Sequence, residues 1–84
     1  MLMKIGDKLL KVLGKKYAPE QMISQKFERY AISFKTDEEG NPILLFIGQT
    51  GADGKIRGER FTRVLIRDKN GQIQKDHWDA KGKT

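Results

Sequence analysis

The sequence predicts a small two-layer α+β domain, in which an N-terminal amphipathic helix packs on a four-stranded antiparallel meander. Three observations predict it. Apolar residues recur at helical spacing over the first 17 positions, β-branched and aromatic runs begin after Gln25, and turns rich in Asp and Gly separate those runs. With 84 residues the chain holds a single core, read here as one domain over 1–79 followed by a tail over 80–84 that frays.

The helix is the first element. Leu2, Ile5, Leu9, Val12, Leu13 and Tyr17 fall on one broad face, and Lys4, Lys8, Lys11 and Lys15 lie opposite. Gly6 weakens the start, so Asp7 is a natural N-cap, while Gly14 and Pro19 bracket the end. Pro19 to Ser24 then reads as a second short turn of helix with proline at its first position.

The first strand is expected at about 27–35, with Tyr30, Ile32 and Phe34 alternating with Arg29, Ala31, Ser33 and Lys35. Asp37-Glu38-Glu39-Gly40 supplies a turn, and pairing Asp37 with Asn41 sets Phe34 opposite Leu44 and Ile32 opposite Phe46. The next strand, 43–48, is apolar on both faces and is therefore central. A hairpin over Thr50 to Lys55 leads into a third strand at 56–67, in which Gly58 marks a bulge, and Asp68-Lys69-Asn70-Gly71 turns the chain into a fourth at 72–78. The expected core is Leu9, Val12, Leu13, Ile32, Phe34, Leu44, Phe46, Val64 and Ile66.

The chain has no cysteine, which excludes disulfides, thiolate metal sites and cysteine nucleophiles. Its N-terminal ten residues carry no long apolar run, and the longest apolar stretch spans five residues, so the expectation is a cytoplasmic protein with no membrane partner. No hydroxyl lies in a nucleophile motif, and the glycines at 48, 51 and 54 sit between strands rather than before a helix, which argues for a hairpin and against a phosphate loop. His77 would need ligands beyond Asp79, so it and Trp78 are read as sealing the end of the sheet. Neither catalysis, metal nor cofactor is expected.

A net charge of +6 makes polyanions plausible partners. On the third strand, Arg57, Phe61, Arg63 and Arg67 share the face opposite the expected core, where guanidinium groups and a ring are suited to phosphates and bases. With Lys4, Lys8, Lys11 and Lys15 they form the candidate nucleic-acid surface. The competing expectation is a protein-interaction or homodimerising face built from Ile43, Leu45, Ile47, Phe61 and Leu65.

Overall fold

The computed structural model describes residues 5–83, which form one short helix, α1 (Asp7–Leu13), and five strands, β1 (Met22–Phe27), β2 (Tyr30–Thr36), β3 (Pro42–Thr50), β4 (Ile56–Arg67) and β5 (Ile73–Lys83). The strands pair antiparallel in the order β1-β2-β3-β4-β5, so the meander has one strand more than the sequence predicts.

The helix is shorter than its apolar periodicity. Gly6 caps it in extended conformation without a side-chain hydrogen bond, and Gly14 closes it by donating to the Leu10 carbonyl at 2.8 Å. The chain then turns back at Tyr17, whose N–H donates to Gly40 O at 2.9 Å and whose hydroxyl donates to Val12 O at 2.7 Å. Its ring meets Phe34 edge-on at 4.9 Å. This crossing requires glycine at position 40: φ is +84°, and a Cβ there would strike the Tyr17 carbonyl.

The helical turn expected at Pro19 to Ser24 is replaced by β1. The buried Thr36 hydroxyl donates to Ala18 O at 2.7 Å and accepts the Gln21 N–H at 2.9 Å, and the Thr36 N–H donates to Gln21 O. These bonds fasten residues 18–21 to the end of β2, and Glu20 at φ +51° breaks any helical path, so residues 22–27 run back along β2 as an edge strand.

The Asp37 turn forms as its sequence predicts. Asp37 Oδ1 accepts the N–H groups of Glu39 and Asn41, and Asp37 N–H donates to Asn41 O, each at 2.9 Å. Beyond it the register differs. Lys35 pairs with Leu44 while Thr36 pairs with Pro42, leaving Ile43 as an extra residue in a bulge. Phe34 therefore opposes Leu45, not Leu44, and Ile32 opposes Ile47, not Phe46. A slip of one residue moves a strand's side chains to the opposite face, and β4 follows β3, with Phe61 opposite Leu45.

The buried core is accordingly Leu9, Leu13, Ile32, Phe34, Leu45, Ile47 and Phe61, with Ile5, Val12, Tyr17, Ile23, Phe27, Tyr30 and Trp78 packed against it. Leu44, Phe46, Val64 and Ile66, expected in the core, lie on the other face, because the bulge reverses them relative to Ile32 and Phe34. The expected frayed tail also differs: 80–83 continue β5, with Ala80 opposite Phe61 and Lys83 opposite Glu59.

The two faces are separable by mutation. Leu45→Ala is expected to cost about 2–5 kcal/mol, as for a fully buried leucine, and Leu44→Ala much less, measured by urea denaturation; equal losses would contradict the face assignment.

Candidate functional site

The arginine strip expected on β4 is occupied by the protein itself. Phe61 is 4% exposed in the core and offers no ring to a ligand. Arg57 pairs with Asp53 at 3.3 Å, and Arg67 pairs with Glu39 at 3.3 Å. Arg63, whose side chain is only 9% exposed, is a structural hub. Its Nε and Nη2 donate to Asp76 Oδ1 and Oδ2 at 2.7 and 2.8 Å, and its Nη1 donates to the carbonyls of Leu13 and Pro42, both at 3.2 Å. The guanidinium also lies over the Trp78 ring, 5.7 Å from its centre. One side chain thus joins the C-terminus of α1, the start of β3 and the middle of β5.

The lysine stripe is likewise interrupted. Lys4 lies outside the described residues, Lys8 faces Glu28 at 3.9 Å with both groups exposed, Lys11 is exposed on α1, and Lys15 falls beyond the helix end. The expected interaction face fares similarly: Leu45, Ile47 and Phe61 are interior, Ile43 is the bulge residue, and Leu65 shares the covered side with Arg63.

Among the described residues no helical layer lies on the opposite face of the sheet. Because direct cross-strand partners share a face, Ser24, Ser33, Phe46 and Arg60 form one row across β1 to β4, and Met22, Lys35, Leu44, Thr62 and Asp79 form the next across all five strands. By alternation Lys26, Val64, Ile66, Lys75 and His77 lie on the same side. The face has a half-buried centre at Leu44, Phe46 and Val64, with Met22 and Ile66 more exposed, at 55% and 48%. It carries the cations Lys26, Lys35, Arg60 and Lys75. None of these four makes an ion pair among the described residues. Asp79, the carboxylate of that face, is engaged by His77 Nε2 at 3.2 Å. No group of three or more His, Asp or Glu side chains among the described residues is placed to hold a metal, and no described helix is long and apolar enough to cross a membrane.

The tip of the β3–β4 hairpin bends over this face. Gly48 and Gly58 are paired in register rather than bulged, and a Cβ on either would strike the backbone of the other strand, at the Arg57 or the Ile47 carbonyl. Past this crease Gly54, Lys55 and Ile56 reach across β2 to share a groove of about 330 Å³ with Met22, Ser24, Ser33 and Phe46. Within it the hydroxyls of Ser24 and Ser33 bond one another at 3.1 Å.

No protein-family model, curated protein or solved structure matches the chain.

Three carboxylates are held below their ordinary range. For Asp76 the Arg63 hydrogen bonds are the largest cause, opposed by burial and reinforced by the charges of Arg63 and His77. In Asp37 burial pushes upward but is outweighed by N–H bonds from Asn41 and Glu39, and in Asp68 the Gln72 N–H leads, followed by the Gln74 amide. A carboxyl depressed in the folded state contributes stability above its unfolded pKa, near 3.9, and loses it as the pH falls through the lower folded value. The melting temperature is therefore expected to hold above about pH 5 and fall below about pH 4, and Asp76→Asn should flatten that fall. Arg63→Lys cannot replace the two-pronged contact and two carbonyl bonds together, and is expected to cost about 1.5–3 kcal/mol in denaturant titrations; an unchanged midpoint would remove Arg63 from its structural role.

Proposed function

We propose that this protein is a non-catalytic module that binds nucleic acid or a related polyanion through the uncovered face of its sheet. The observation that carries the reading is the set of cations on that face with no ion-pair partner among the described residues: Lys26, Lys35 and Arg60 about Phe46, and Lys75 farther off, opposite Ile66. Cations without protein partners retain their counterions, which an incoming polyanion releases. An aromatic side chain among them is the arrangement by which sheet surfaces combine phosphate contact with stacking.

A second reading has its own support. The exposed aliphatic groups Met22 and Ile66, together with Leu44 and Val64 on the same face, suit burial against a second copy of the chain or another protein. Charge favours the polyanion reading, since two such faces brought together would oppose cation to cation.

Retention on an immobilised oligonucleotide tests this. Four phosphate contacts to a single strand would give a slope of log affinity against log salt of about −3. Lys35→Ala and Arg60→Ala are each expected to reduce that slope by up to about one unit, whereas Lys11→Ala, on the helical layer, should leave it unchanged. No retention at low salt, with a dimer mass in solution, would transfer the face to self-association.

A further inference from the structure

We infer that the face is a single-strand site, in which one unpaired base lies on the ring of Phe46 within the groove closed by the β3–β4 hairpin tip. This rests on the nucleic-acid reading above and adds to it the strandedness of the ligand and the seat of a base.

The groove has the chemistry of a base and the surroundings of a phosphate chain. Its volume of about 330 Å³ lies near the low end of small-ligand pockets. Phe46 and Ile56 line it with apolar surface suited to a flat ring. Ser24 on β1 and Ser33 on β2 supply polar atoms, and their bond to each other uses one donor and one acceptor, leaving a hydroxyl hydrogen and further lone pairs for the edge of a base.

Around this seat the cations are disposed along and across the strands. Lys26 follows Ser24 by two residues on β1, Lys35 follows Ser33 by two on β2, Arg60 is the cross-strand partner of Phe46, and Lys55 stands at the hairpin tip. Adjacent strands lie about 4.8 Å apart, so the row from Ser24 to Arg60 spans roughly 14 Å, enough for a backbone to run beside a stacked base and meet cations on both sides.

Strandedness follows from access. In a duplex both faces of every internal base are covered by its neighbours, so along its length only phosphate would be offered to this surface, and Phe46 would gain nothing. The hairpin tip also stands over the sheet beside the row, where a duplex resting on Phe46 would meet it. A single strand can turn one base into the groove and keep its phosphates outside, among the lysines.

Fluorescence anisotropy with three probes of equal phosphate number decides it: an unpaired oligonucleotide, a duplex of half its length, and a full-length strand of abasic sites. The intact strand is expected to bind more tightly than the abasic one by about 5- to 150-fold, the effect of one stacked base, with the same salt slope. Phe46→Leu keeps an apolar side chain but removes the ring, and should bring the intact strand to the abasic level, while Phe46→Tyr should preserve the difference. Equal binding of intact and abasic strands, or tighter binding of the duplex, would overturn the inference while leaving the polyanion reading in place. Binding of none of the three probes would overturn both.

Discussion

The extra residue at Ile43 decides which side of this protein is inside. In an antiparallel sheet covered on one side, every strand must present its apolar set to the same layer, and that choice passes from strand to strand through register. Pairing that counted directly from the Asp37 turn would place Leu44 and Phe46 beside Phe34 and Ile32. The bulge inserts one position, so Leu45 and Ile47 take those places, and Phe61 on β4 and Ala80 on β5 inherit the same side. The helix, the core and the open face all depend on that one insertion.

The same insertion brings a charge into the covered side, and the structure accommodates it. Arg63 arrives beside the end of α1, where carbonyl groups lack intrahelical partners and the helix dipole favours a cation. Asp76 opposes its charge in a two-pronged bond, and Trp78 lies beneath the planar group. With so short a helix, the apolar contact between layers is limited to a few side chains, and a polar fastening at one end compensates for area the helix cannot bury. Tyr17 and Gly40 form another such fastening, and Thr36 ties the connection into β1.

Much of this was legible in the residues. Asp37 to Asn41 and Asp68 to Gln72 share the pattern Asp-x-x-Gly-x, and both form turns in which the aspartate accepts two backbone N–H groups. The helix position, four of the five strands and their meander order follow from periodicity and these turns. β1 was obscured because it is an edge strand whose central Ser24, Gln25 and Lys26 carry no apolar alternation, behind a proline that reads as a helix start. The bulge was illegible because β3 is apolar at nearly every position: Ile43 to Ile47 satisfies either register, and no polar residue penalises the wrong one. On β4 the deciding pattern misleads, since Val64 and Ile66 advertise burial while Arg63 advertises solvent, and the partner that reverses this, Asp76, lies thirteen positions away.

The Gly48–Gly58 crease separates two kinds of variation in this protein. Each glycine already has the smallest possible side chain, so a larger residue at one has no compensating reduction at the other, and the angle between the sheet and the bent hairpin is set by backbone contact alone. Residues 51–55, beyond the crease, form a turn closed by their own backbone and Asp53 hydrogen bonds. Exchanging or lengthening that turn would alter the chemistry of the groove's rim while its floor and opening stayed as they are. The part of the surface that sets shape is thereby kept apart from the part whose side chains can change without altering it.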